Sequence, residues 1–326
     1  MIKKALIVGI DYYENISQLY GCVNDAYSVE AALERNGDGS KNFQTKLLTA
    51  NGVDSKLTRK ELKDNIKKLF EDKTSAALFY FAGHGYAENT GGYLLTSECE
   101  DGDAGLPMKD IIDIAIESDA QNKIIILDCC HSGAAGELSI NKEISFLSDG
   151  LTILTASSRN QSAEEKNGSG VFTNLLVDAL YGSAANLLGE VTPGSVYAHI
   201  DQAIGVWGQR PIFKTNVKNF MCLRQTDPPI SRSDLRMITE LFDSKWTEIQ
   251  LDPTYEPERS EEQRLQYPDP IYENTQKFAL LQKYNRVNLV IPISTKHMWH
   301  AAMESKSCKL TAMGTRYWDL VKKNHI

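Results

Sequence analysis

Residues 123–133 read KIIILDCCHSG, an unbroken apolar run that stops at a carboxylate, two thiols, an imidazole, a hydroxyl and a glycine. The run does not alternate with polar letters. A central parallel strand reads that way when helices cover both faces of its sheet. Four more runs share the texture: KALIVGI (4–10), TKLLT (45–49), AALFYFAG (76–83) and LTILTAS (151–157), with an extended RPIFK (210–214) closing the series. Helical patterns lie between them. VNDAYSVEAALERNG (23–37) ends on a glycine stop, and LTRKELKDNIKKLFED (57–72) follows Ser55 and Thr58 as candidate caps. MKDIIDIAIES (108–118), VFTNLLVDALYG (171–182) and PGSVYAHIDQAIG (193–205) complete the set. Residues 1–225 therefore predict a doubly wound, mostly parallel α/β sheet with helices on both faces.

Beyond Cys222 the texture changes. Residues 226–270 are acidic and proline-broken, with five Lys or Arg against eleven Asp or Glu in 227–269, and read as an exposed connector. Residues 271–326 read as helix, helix, then strand, glycine turn and helix, and 270–326 hold nine basic residues against three acidic ones. The whole chain of 326 residues is 42% hydrophobic with a net charge of −8, ordinary values for a globular protein with a substantial core. No apolar run approaches the ~18 residues of a membrane span. ALIVGI is too short for a signal-peptide core and is followed at once by Asp11 and Glu14, so a cytoplasmic location is expected. The six cysteines show no CxxC and no regular spacing, which favours reduced thiols over a disulfide framework.

Two strand ends carry chemistry, FYFAGHG (79–85) and IILDCCHSG (125–133), and ligands of doubly wound sheets bind at the carboxyl ends of strands. A doubled cysteine admits several readings: nucleophile, half a metal site, redox pair or core filler. A His–Gly turn after one central strand places His84 within range of a thiol after another, the arrangement of a Cys–His dyad. Strand side chains alternate, so a strand that persists through Cys130 turns Asp128 and Cys130 to one side and Cys129 to the other. A site that uses a carboxylate beside its nucleophile would use Cys130 and leave Cys129 to pack.

In this order and at these separations, ALIVGIDYY…LYGCVNDA, FYFAGHG and LDCCHSG resemble the caspase-like cysteine peptidases, closest to the metacaspases and bacterial caspase-like proteases. TASSRNQSAEE…GVFTNLLVDAL and GQRPIF fit the second half of the same domain. The resemblance implies a caspase-like six-stranded sheet, His84 as base, Cys130 as nucleophile, and an oxyanion hole from the backbone N–H groups of Gly85 and Cys130. It also implies an acidic pocket for Arg or Lys before the scissile bond, formed by Asp25 and Asp128 with Cys22. Two carboxylates on a pocket floor favour a cation, and Arg can pair with one bidentately. Where metacaspases usually carry a pocket Ser, this chain has Ala82. Calcium-dependent relatives use aspartates after the histidine strand. The loop SECEDGDAG (97–105) offers Glu98, Glu100, Asp101 and Asp103, but the aspartates that complete such a site reduce to Asp110, so a solvated acidic loop is preferred to a calcium site and no cofactor is expected.

Residues 271–326 resemble a winged-helix module, which implies a site for an activating protein partner, with nucleic acid as the competing ligand. His297, His300 and Cys308 lack a fourth ligand, and zinc is not expected there. The resemblance places such peptidases in regulated cell death and antiphage defence, cutting a protein effector. The competing class is a pseudo-protease scaffold that acts only by binding.

Overall fold

A computed structural model of the chain describes residues 2–88, 91–100, 105–129, 148–156, 165–166, 169–204, 211–218 and 220–326. The chain divides into two compact units, Met1–Asp227 and Pro228–Ile326.

In the first unit the elements run β1 (Lys3–Ile10), α1 (Cys22–Glu34), β2 (Gln44–Ala50), α2 (Arg59–Glu71), β3 (Ala76–Ala82), then three short strands, β4 (Gly85–Glu88), β5 (Gly91–Leu94) and β6 (Leu106–Pro107). There follow α3 (Met108–Ile116), β7 (Lys123–Asp128), β8 (Leu151–Thr155), β9 (Glu165–Lys166), β10 (Ser169–Gly170), α4 (Val171–Asp178), β11 (Glu190–Val191), α5 (Pro193–Ile204), β12 (Ile212–Asn216) and β13 (Arg224–Gln225). The central sheet has six strands in the order β12–β8–β7–β3–β1–β2. All pairings are parallel except β12 against β8, so the expected mostly parallel six-stranded sheet is what forms.

β3 and β7 are buried at every position, the physical reason their sequences do not alternate. The alternation is instead between two cores. Phe79, Phe81, Ile125, Leu127 and Cys129 enter the core shared with α2 and α3. Leu78, Tyr80, Ala82, Ile124 and Ile126 enter the one shared with α1, α4 and α5. Thr58 caps α2, its hydroxyl accepting the Glu61 N–H at 3.2 Å. α1 ends at Glu34, before the glycine at 37 that the sequence marks as its stop: Arg35 is already extended and bridges Lys41.

The second unit contains α6 (Arg232–Arg236), α7 (Ile238–Leu241), β14 (Glu248–Gln250), α8 (Glu261–Gln266), α9 (Tyr272–Arg286), β15 (Val290–Pro292), α10 (Met298–Met303), β16 (Ser307–Leu310) and α11 (Ala312–Lys322). Its antiparallel sheet is ordered β14–β16–β15. Residues 228–270, expected as part of an exposed connector, are folded into this unit. They supply β14 and the buried side chains Leu235, Ile238, Phe242 and Leu251. The prolines are accommodated because the buried Arg259 guanidinium donates to the carbonyls of Pro253, Glu256 and Pro268, and Pro253 begins a short 3-10 turn where no N–H is required. Gly314 does not make a turn. It lies in the first turn of α11, where a Cβ would stand 2.0 Å from the Leu289 carbonyl oxygen. Burial pushes the Cys308 thiol on β16 up to about 12, which keeps it protonated and makes it a poor metal ligand.

Candidate active site

β3 and β7 are parallel neighbours whose last paired residues are Ala82 and Asp128. The Gly83 N–H donates to the Asp128 carbonyl at 3.3 Å and ties the two strand ends together. His84 follows, partly exposed, with its ring against Tyr13 at a centroid distance of 4.7 Å. Three contacts fix it. Its main-chain N–H donates to the Tyr13 hydroxyl at 2.7 Å, its carbonyl accepts the Leu95 N–H at 3.0 Å, and its Nε2 lies 2.8 Å from the Ser17 carbonyl oxygen. A carbonyl only accepts, so Nε2 carries a proton; in the neutral ring Nδ1 is then the basic nitrogen.

Tyr13 and Ser17 belong to the segment between β1 and α1. Asp11, at the start of that segment, accepts the Cys22 N–H at 2.8 Å and the Val23 N–H at 3.4 Å, satisfying orphan donors at the start of α1. Burial pushes the Asp11 carboxyl above its ordinary value, against the two N–H bonds that lower it. Gly9 lets α1 approach β1: a Cβ there would stand 2.4 Å from the Cys22 carbonyl oxygen.

The first turn of α1 carries Asp25, which is 3% exposed, and Asp128 is 7% exposed. The two carboxylates meet at Gly170. Its N–H donates to Asp25 Oδ2 at 2.9 Å, and a Cβ on it would stand 2.6 Å from Asp128 Oδ2 and 3.1 Å from Asp25 Oδ2. Asp128 Oδ2 also accepts the Thr173 hydroxyl at 2.7 Å, and the Tyr80 hydroxyl lies 2.6 Å from that of Thr173. Both buried carboxyls therefore stand against Gly170, with Asp25 in the first turn of α1, where the helix dipole favours an anionic side chain.

The structure thus brings Asp25 and Asp128 together, with Cys22, buried, one helical turn before Asp25. Gly85 opens β4, opposite Leu94. Cys129 is 1% exposed in the core on the other face of the sheet from Tyr80 and Ile126. Cys130, Asp101 and Asp103 lie outside the described residues. Two of the other acids serve different ends: Glu98 accepts the Arg59 N–H at 2.9 Å, and Asp110, on α3, pairs with Lys63 at 2.7 Å. Among the described residues no three His, Cys, Asp or Glu side chains group as a metal ion would require, and no helix is long and apolar enough to cross a membrane. Tyr13, Ser17, Tyr80, Gly170 and Thr173 were not singled out from sequence. Gly170 carries the one signal available, a glycine immediately before an apolar helical run.

Comparison with known proteins places this geometry. Residues 2–221 match the caspase domain. Metacaspase-1 of Candida albicans is 37% identical over 86 residues, 26% of this chain and 19% of that protein. Metacaspase-6 of Arabidopsis thaliana is 30% identical over 151 residues, 41% of this chain and 39% of that protein. The chain spans less than two fifths of the length of these relatives. A crystal structure of a Geobacter sulfurreducens protein superposes with a TM-score of 0.51 at 16% identity, over 70% of this chain and 100% of that one, a likeness of fold alone. With residues 2–221 matched and the sheet formed as described, the chain belongs to the caspase-domain family.

Proposed function

We propose that this protein is a cysteine endopeptidase that cleaves after Arg or Lys. One observation carries the reading: β3 and β7 end side by side with Ala82 opposite Asp128, and His84 and Cys130 each stand two residues further along the sequence. The convergence of Asp25 and Asp128 on Gly170 supports the basic specificity.

In the mechanism, the Cys130 thiolate attacks the scissile carbonyl. The backbone N–H groups of Gly85 and Cys130 stabilise the oxyanion. His84 Nδ1 takes the thiol proton and returns it to the leaving amine as the tetrahedral intermediate collapses to a thioester, which water then hydrolyses. The Ser17 carbonyl holds the imidazole tautomer and supports the positive charge it gains. Asp25 and Asp128 receive the basic side chain, and an Asp side chain is excluded by like charge. No metal enters these steps. The protein acts in the cytoplasm on a protein effector in cell death or antiphage defence, and residues 271–326 recruit the activating partner.

Fluorogenic peptides carrying Arg, Lys or Asp before the scissile bond test the reading. Arg and Lys peptides are cleaved, Asp peptides are not, and Cys130→Ala or His84→Ala reduces the rate to background. Absence of cleavage by protein activated with calcium or with a lysate of its host would leave the competing class, a scaffold that only binds.

A further inference from the structure

We propose that the hydroxyls of Tyr80 and Thr173 form a relay that holds the Asp128 carboxylate in one plane, and that this relay makes the pocket prefer a guanidinium to an ammonium. The inference rests on the basic-side-chain reading above and names what sets the preference within it.

The chain of bonds runs in one direction. Thr173 donates to Asp128 Oδ2 at 2.7 Å, so its hydroxyl hydrogen is committed. The Tyr80 hydroxyl, 2.6 Å from Thr173 Oγ1, must then be the donor in that contact. Tyr80 is fully buried and Thr173 is 1% exposed, so water does not compete for either hydroxyl. Burial and the nearby charges of Asp128 and Asp25 hold the Tyr80 phenol far above its ordinary range, which keeps the donor proton in place. Successive donors aimed at one carboxylate oxygen polarise one another and stabilise negative charge there.

The relay comes from the sheet face that bears Asp128. Tyr80 and Ala82 lie on the same side of β3, and Ala82, paired with Asp128, brings no polar atom of its own. The hydroxyl that reaches Asp128 comes instead from α4, and β3 supports it one hydrogen bond back. Asp25 is fixed separately, by the Gly170 N–H.

Pinning one oxygen restricts the carboxylate's rotation about its terminal torsion. That matters for a planar guanidinium fork, which needs a carboxylate in its own plane, and much less for an ammonium, which is a point charge with rotatable donors.

The test uses the full chain carrying Cys130→Ala, so that binding is read without cleavage. Acetylated tetrapeptides ending in Arg or Lys are titrated by calorimetry against this protein and against versions that also carry Thr173→Val, Thr173→Ser or Tyr80→Phe. Thr173→Val, close to isosteric, is expected to weaken the Arg peptide about tenfold and the Lys peptide about threefold or less, from loss of a hydrogen bond to a charged group. Thr173→Ser restores the Arg peptide to within about twofold. Tyr80→Phe shifts the Arg-to-Lys ratio in the same direction as Thr173→Val, and it decides the matter if the valine variant does not fold. Equal losses on both peptides, no loss, or no rescue by serine overturns the relay and leaves the acidic pocket standing. If the Cys130→Ala protein binds neither peptide, the basic-specificity reading falls and the relay with it.

Discussion

The base proposed here, His84, must present one nitrogen in one direction, and the main chain does much of that work. Tyr13 accepts the His84 N–H while its ring lies against the imidazole, tilted by 54°. The phenol is 1% exposed and burial holds its ionisation well above the ordinary range, so it stays a neutral hydroxyl. Tyr13→Phe keeps the ring contact and leaves the His84 N–H without its acceptor. An orphaned donor costs about 1–3 kcal/mol when fully buried, and for this part-buried group the expected result is a fall in unfolding free energy of about 1 kcal/mol. A several-fold drop in kcat with little change in KM accompanies it, because the variant disturbs the base and not the pocket. Denaturant melts and peptide kinetics check both; a change in KM alone would contradict the assignment. Neither Tyr13 nor Ser17 was legible in the sequence. Their roles depend on a loop whose path is set by Asp11 and by bonds to Ala50 and Ser97, contacts that no local pattern encodes.

At the scale of elements, legibility followed burial. β3 and β7 could be read because complete burial leaves an unbroken apolar signature, and from them came the strand ends with His84 and Asp128 and the placement of Cys129 in the core. β4, β5 and β6 carry glycine and polar letters, are two to four residues long, and owe their existence to pairing with one another; nothing in GYAE or GGYL announces a strand. Asp11 shows the same limit, since it stands 11 residues before the Cys22 N–H it accepts and no capping motif spans that distance. Its raised pKa gives a directional prediction. A carboxyl whose folded pKa exceeds its unfolded value contributes stability that is present below the unfolded pKa and lost as pH rises through the folded one. Asp11→Asn keeps the Oδ1 acceptor and removes the partly buried charge. Its melting temperature should therefore rise relative to wild type as pH goes from about 4 to 7. Thermal melts of both proteins across that interval check the sign; a difference that shrinks with pH would refute it.

At the scale of the molecule, the caspase-domain match ends at residue 221 while the first compact unit continues to Asp227. The six residues between have structural duties. Arg224 is buried at 8% exposure, donates to the carbonyls of Arg35 and Leu180, and lies 4.3 Å from the centre of the Tyr181 ring. β13 pairs with β11, the Leu223 carbonyl accepts from the Asn42 side chain at 2.8 Å, and the Thr226 N–H reaches Gly189 at 2.8 Å. These contacts fasten α1, the turn after α4 and the start of α5, the helices that line the core on the face of Asp25 and Thr173. A chain cut after Asp227 is expected to fold and to keep Asp25 and Asp128 against Gly170. One cut after residue 221 loses Leu223, which is 1% exposed, and the buried guanidinium together. Burial of a leucine alone is worth about 1.5–3 kcal/mol, a large share of a marginal stability of ~5–15 kcal/mol. The shorter chain should melt many degrees lower or fail to accumulate as soluble protein. Circular dichroism melts of the two truncations, with titration of an Arg-terminated peptide as the functional readout, decide the point, because equal stability would mean that residues 222–227 are an appendage and not the last strap of the peptidase fold.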